Sequence, residues 1–198
     1  DIAAIKAAGD AEPRVVAVLL EVLQGEGGIR PIDVQNLKAL RALCNERGWL
    51  MMIDEVQSGI GRTGKWLAHQ WAEILPDVVV FAKGLGGGVP IGAIGACGPA
   101  AGVLGPGSHG TTFGGSPLVS AAAIATLRAL EEDKLLENAA TVGAYLKAEL
   151  GKALLGTPGV REVRGQGLML GVELEKPCGV LTMRALEAGL LINVTRDR

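Results

Sequence analysis

Three short apolar runs organise the first half of the chain, at residues 15–20, 49–53 and 78–82. Each is continuous rather than alternating and rich in Val, Ile, Leu or Met, the pattern of strands covered on both faces in a parallel sheet. Between the first two, Asp33 stands as an N-cap, Leu37, Leu40, Leu43 and Cys44 fall on one helical face, and Gly48 supplies the stop. That makes one βαβ unit. Residues 54–77 are long enough for a second crossover, with a helix predicted over 65–74, so the third strand is also predicted parallel. Residues 84–90 are too few for a crossover, and 91–97 are predicted to return antiparallel. Ser116 followed by Pro117 opens a helix running to about residue 130. A further helix is predicted over 134–155 with an apolar stripe of Leu135, Leu136, Val142, Leu146 and Leu150. Beyond Gly156, strands at 160–163, 168–174 and 190–194 and a short helix at 182–188 read as a small α+β unit. The fold class is therefore α/β with a mostly parallel sheet.

Composition narrows the function classes. The chain has 198 residues, 19 bases against 21 acids, and 3% aromatic residues. No basic stripe and few stacking rings are present, so neither nucleic acid nor an anionic membrane is an expected partner. Thirty glycines are twice the ordinary share of about 7% and have no collagen period, so they serve turns and close backbone approaches. Cys44, Cys97 and Cys178 are scattered, with no metal or disulfide spacing, which fits small core residues in a reducing compartment, the cytoplasm. No charged residue occurs from Gly84 to Leu127, but prolines and glycines interrupt this stretch too often for a membrane helix, and it reads as buried loops and turns. No secretory leader is visible in the first residues.

The chemistry gathers where the apolar runs end. Leu20 gives way to Glu21, Ile53 to Asp54, and Ala82 to Lys83. In an open parallel sheet ligands bind at the carboxyl ends of the strands, so these three residues are expected in one crevice. Desolvation at a buried strand end would favour the uncharged amine of Lys83, a nucleophile toward carbonyls. Asp54 could face the cationic ring nitrogen of an aromatic aldehyde cofactor. A plain Lys–Asp salt bridge would bring the same two residues together. Gly59, Gly61 and Gly64 match the spacing of a dinucleotide loop, with Asp77 beyond. Asp54 and Glu55, standing between strand and glycines, would repel a pyrophosphate, so the loop reads as turns. His109 is expected to pack its loop, and His69 to lie on a surface or helix.

The string Met52-Ile53-Asp54-Glu55-Val56-Gln57-Ser58-Gly59, then Gly61-Arg62-Thr63-Gly64, Pro76-Asp77 and Phe81-Ala82-Lys83-Gly84-Leu85-Gly86-Gly87-Gly88, resembles the signature of class III pyridoxal-phosphate-dependent aminotransferases. Glu21-Val22-Leu23-Gln24-Gly25-Glu26-Gly27-Gly28 upstream and His109-Gly110-Thr111-Thr112-Phe113-Gly114-Gly115 downstream fit the same family, and the likeness covers essentially the whole chain. It implies a fold-type-I transferase: part of the cofactor-binding large domain over 1–132, then a linking helix and part of the small C-terminal domain over 133–198. It further implies that Lys83 bonds pyridoxal 5'-phosphate and shuttles the substrate proton, that Asp54 pairs with the ring nitrogen, and that Gln57 bonds the phenolic oxygen. Val56 would pack on the ring, and Thr112 would reach the phosphate in a neighbouring subunit of a homodimer. Glu26 would be a switch that pairs with an arginine for the ω-amino donor and releases it for 2-oxoglutarate, while Glu21 is expected to make a structural hydrogen bond.

Within the family, Leu191-Ile192-Asn193-Val194-Thr195 and Gly64-Lys65-Trp66 are most similar to enzymes of N-acetylornithine, which implies arginine biosynthesis. Ornithine, 4-aminobutyrate and semialdehyde substrates keep the same fold and cofactor. A nicotinamide oxidoreductase and a non-catalytic fragment are the readings of other class. Val22 stands where the family has proline and Ser116 where it has asparagine. A full member is much longer. The phosphate-cradling loop, the stacking aromatic residue, the carboxylate arginine and the arginine partner of Glu26 are expected outside these residues, so the isolated segment is expected to be inactive.

Overall fold

The computed structural model describes residues 1–196. A helix α1 (Ile2–Ala11) leads into β1 (Ala17–Glu21), followed by a small ribbon of β2 (Leu23–Gln24) and β3 (Arg30–Pro31). Next come α2 (Val34–Arg47), β4 (Leu50–Asp54), β5 (Val78–Phe81) and β6 (Ala93–Ala96). The second half holds α3 (Pro117–Glu132), α4 (Leu135–Ala153), β7 (Val160–Gln166), β8 (Met169–Leu174) and α5 (Val180–Glu187). The main sheet runs β1-β4-β5-β6: the first three strands are parallel and β6 is antiparallel to β5, as the connection lengths require.

Helix α2 forms where its caps dictate. Asp33 accepts hydrogen bonds from the Gln35 and Asn36 amides, and Gly48 closes the helix at φ 65°, a left-handed angle that only glycine adopts without strain. Its buried face, Leu37, Leu40, Leu43 and Cys44, packs with Met51 and Ile53 of β4 and with Trp49 into the main core. The opposite face of the sheet is open: Leu19 is 65% exposed and Ile94 58% exposed. Strands covered on both faces were expected, but among the described residues only the face of Met51 and Ile53 carries a layer of helices.

At the amino-terminal end of the strands Asp77 ties three elements together. Its Oδ2 accepts from the Met51 amide at 2.7 Å and from Arg41 of α2 at 2.6 Å, and its own amide donates to the Met51 carbonyl. Burial works to raise the Asp77 carboxyl, but the Met51 amide and the Arg41 guanidinium outweigh it and hold the group below its ordinary value. Its stabilising contribution is therefore complete above the ordinary carboxylate pKa of about 3.9 and is lost as pH falls below that value toward the folded one. Asp77→Asn is expected to cost about 1–3 kcal/mol near neutral pH, because Arg41 loses its counter-charge. The loss should shrink in acid, which denaturant unfolding of the full-length protein at several pH values measures.

Four expectations give way. Residues 65–74 form no α-helix but a 3-10 turn, Ala68–Ala72, bounded by extended Leu67 and by Glu73 at φ 54°. Residues 190–194 form no strand, because no neighbouring strand pairs with them among the described residues. The buried face of α4 is made by Ala139 and Gly143, while Leu135, Val142 and Leu146 stay exposed. Small residues win because the backbone of Gly167 lies directly on Gly143, leaving no room for a Cβ. Finally, the loop at 101–115 is exposed rather than buried, with Phe113 80% accessible.

Candidate active site at the strand tips

The carboxyl ends of the parallel strands carry the candidate residues. Glu21 and Asp54 are the last residues of β1 and β4 and stand directly opposite each other in the register. Asp54 is in turn opposite Val80 of β5, and Lys83 follows three residues beyond Val80. Paired positions on neighbouring strands share a face of the sheet, so both acids lie on the side away from the α2 core. Asp54 is half-buried, and its Oδ1 accepts from the Val56 amide at 2.9 Å. That bond shapes the turn in which Val56 and Gln57 sit half-buried.

Gln57 lies against Gly25 so closely that a Cβ at position 25 would collide with its side chain. The same turn is pinned from below, because Glu21 accepts the Gly25 amide at 2.7 Å. Glu26 follows on the exposed side of this turn. The strand-tip acid, the Gln57 turn and the Glu26 turn are thus neighbours. Thr112 and His109 both lie on the exposed loop 101–115, so His109 is an exposed residue and not a packed one.

Lys83 opens a 3-10 turn, Lys83–Gly86, with φ 41°. A side-chain-bearing residue in this left-handed region costs about 1–3 kcal/mol and persists only where its surroundings over-determine it. Here the Leu85 amide bonds Ala82, the Val89 amide bonds Gly86, and buried Leu85 and Gly86 anchor the turn. Lys83 is exposed rather than buried, at a cleft of about 510 Å³ lined also by Gly88, Val89, Pro90 and Ile91. Among the described residues Lys83 enters no ion pair, so the structure does not contain the Lys–Asp salt bridge that would explain both residues trivially.

The glycine-spaced loop at 59–64 is filled by packing. Gly64 abuts Ala140 of α4, Thr63 is fully buried, and the Arg62 carbonyl accepts the Leu168 amide at 3.0 Å. The loop's glycines are thus turned toward protein neighbours, and Asp77 is occupied at the opposite end of the sheet.

Sequence reasoning passed over Glu55. Its carboxylate is buried and accepts from Ser58 Oγ at 3.0 Å, the Ala68 amide at 2.7 Å and the His69 amide at 2.8 Å. His69 Nδ1 lies 3.0 Å from the same group, so His69 is a buried partner and not a surface residue. Glu55 therefore fastens the turn after Asp54 to the 3-10 turn. A partial signal did exist: a carboxylate next to a buried strand end needs donors, and Ser58 follows three residues on.

A lysine at a cleft, an acid on the adjacent strand tip and a glutamine on the turn that follows this acid are side chains of the kinds that a pyridine aldehyde with a ring nitrogen and a phenolic oxygen requires. The residues present fit such a group. The aminotransferase class-III family matches residues 2–198, and the chain belongs to that family. More particularly, it is 69% identical over all 198 residues to acetylornithine aminotransferase 1 of Bordetella bronchiseptica, covering 50% of that relative. It is 46% identical to acetylornithine aminotransferase of Nitrosomonas europaea, again covering 50%. Among solved structures, an ornithine aminotransferase of Toxoplasma gondii, described with partial occupancy of PLP at its active site, matches with TM-score 0.93 at 37% identity, over 100% of this chain and 47% of that one. Acetylornithine aminotransferase of Elizabethkingia anophelis matches with TM-score 0.91 at 34% identity, over 100% and 51%. The chain thus spans about half the length of the curated relatives it matches.

Proposed function

We propose that the full-length protein transfers the ω-amino group of N-acetylornithine to 2-oxoglutarate, with pyridoxal 5'-phosphate as cofactor. The observation that carries the class of reaction is the placement of Asp54 and Lys83 at adjacent parallel strand tips, beside the Gln57 turn. Identity of 69% to a protein named for acetylornithine, against 37% to one named for ornithine, favours the acetylated donor.

On this reading each residue has a task. When bound, pyridoxal phosphate supplies an electron sink for the pair left on the substrate carbon that loses its proton. Lys83 Nζ anchors the cofactor, then takes up that proton and returns it. The Asp54 carboxylate holds a proton at the ring nitrogen, Gln57 donates to the phenolic oxygen, and Val56 supplies an apolar wall. Glu26 binds the arginine partner while the ω-amine donor is present and releases it for the dicarboxylate acceptor. Thr112 serves the phosphate of a second copy, which makes the working unit a homodimer. The same reading divides the chain into large-domain residues 1–132 and small-domain residues 133–198 and places the enzyme in the cytoplasm, in arginine biosynthesis. No helix among the described residues is long and apolar enough to cross a membrane.

The full-length holoenzyme is expected to use N-acetylornithine better than ornithine or 4-aminobutyrate by at least about tenfold in kcat/KM, the discrimination that a single pocket contact provides. Preference for either alternative overturns the substrate assignment, and amino transfer from none of them overturns the function.

A further inference from the structure

The turn that carries Glu26 is held in an unfavourable backbone conformation by a residue far away in sequence. Gly28 has φ 101° and Ile29 φ 51°, and a β-branched residue in that region is an outlier that needs external support. Two backbone bonds close the turn from within, from the Gly28 and Ile29 amides to the Gly25 carbonyl at 3.0 and 3.2 Å, and its ends are joined by the β2–β3 pairing and by the Gly25 amide bond to Glu21. The carbonyls of its left-handed residues, Gly28 and Ile29, are held by Arg164 of β7. Its Nε donates to the Gly28 carbonyl at 3.0 Å and the Ile29 carbonyl at 2.9 Å, and its Nη2 donates to Gly28 at 2.6 Å. The other side of the guanidinium is fixed by Glu162 and by Glu173 of β8, and the side chain is only 12% exposed. Glu173 also accepts from Arg30 at 2.9 Å, while Arg30 Nε reaches the Gly27 carbonyl at 3.3 Å. Gly171 of β8 lies directly against Ile29.

A planar guanidinium can bond two carbonyls on one edge and two carboxylates on the other, which an ammonium cannot. We propose that Arg164 is a positioning residue for Glu26: it locks turn 25–29 in its left-handed form, sets the direction of Glu26, and thereby sets the discrimination between the ω-amine donor and the dicarboxylate acceptor. The β7–β8 hairpin is on this account the strut of the substrate switch. The proposal rests on the reading of Glu26 given above.

The test uses Arg164→Lys, Arg164→Met and Glu26→Ala in the full-length holoenzyme, with single-turnover rates of the two half-reactions and amide hydrogen exchange. Arg164→Lys keeps the counter-charge for Glu162 and Glu173, so it stays informative if Arg164→Met fails to fold. The expected result in both Arg164 variants is faster exchange at residues 25–31 with α2 unchanged. The donor-to-acceptor ratio of kcat/KM should shift roughly tenfold, the low end of what one pocket contact confers, in the direction of the Glu26→Ala shift. Equal slowing of both half-reactions, or unchanged exchange at 25–31, overturns the proposal. If Glu26→Ala shifts the ratio and Arg164→Lys does not, the positioning role alone fails. If Glu26→Ala leaves the ratio unchanged, the switch reading of Glu26 fails and the positioning role falls with it.

Discussion

Lys83→Ala in the full-length enzyme is expected to lower the rate of amino transfer by about 100- to 10,000-fold, the range of a lost general acid–base group. The fold should be unaffected. Position 83 has φ 41°, and alanine carries the same Cβ penalty there as lysine, so the strain of the turn is the same in both proteins. Lysine's side chain is exposed, and its removal leaves no cavity. Thermal unfolding of the apoenzyme should therefore coincide with that of the parent. Lys83→Gly should be as inactive and no less stable, since glycine takes this backbone angle freely. Cofactor retention gives the independent readout: borohydride reduction followed by peptide mapping should leave the cofactor mass on the peptide containing Lys83 in the parent and on no peptide in the variants. Retained activity within tenfold of the parent, or trapping on another lysine, removes Lys83 from its role.

The same strand tips show what can be read from a sequence. Residues 49–53 and 78–82 were legible as strands because a run of apolar residues cut off by a charge has few alternatives in a parallel sheet, and topology alone then puts Asp54 and Lys83 at the ends of neighbouring strands. Helix α2 was legible because both its caps are written locally, in Asp33 and Gly48. The 3-10 turn was not, because its start is decided by a carboxylate 13 residues upstream, Glu55, which takes the Ala68 amide. Neither was the buried face of α4, where hydrophobicity points to leucines while close approach by Gly167 selects Gly143. Arg164 was the least visible: its bonds to Gly28 and Ile29 span 136 and 135 residues, and nothing in the neighbouring sequence announces them. Local pattern places the candidate residues at the strand tips, while contacts that no local pattern encodes, from Glu55 to the Ala68 amide and from Arg164 to Gly28, hold the turns around them.

Asp54 separates charge from shape in the proposed chemistry. Asp54→Asn keeps an oxygen where the Val56 amide needs one, so the turn and the stability of the apoprotein should be retained. What disappears is the negative charge that keeps a proton on the ring nitrogen. A hydrogen bond to a charged partner contributes about 1.5–3 kcal/mol. Losing it where charge develops during reaction should slow amino transfer by roughly 10- to 150-fold. Cofactor affinity, measured by fluorescence quenching, should weaken as well. Asp54→Ala removes the Val56 bond in addition and should lose about a further 1 kcal/mol of apoprotein stability, the ordinary contribution of such a bond. Asp54→Glu tests placement: it restores the charge but advances the carboxylate by one methylene from a strand end whose register with Val80 fixes where it can reach. If charge alone mattered, Asp54→Glu would recover the rate. A rate as low as that of Asp54→Asn would mean that the carboxylate acts only from the position the β4–β5 register gives it. A full rate in Asp54→Asn would mean that the acid at this strand tip is structural and that the electron sink is sustained by another group.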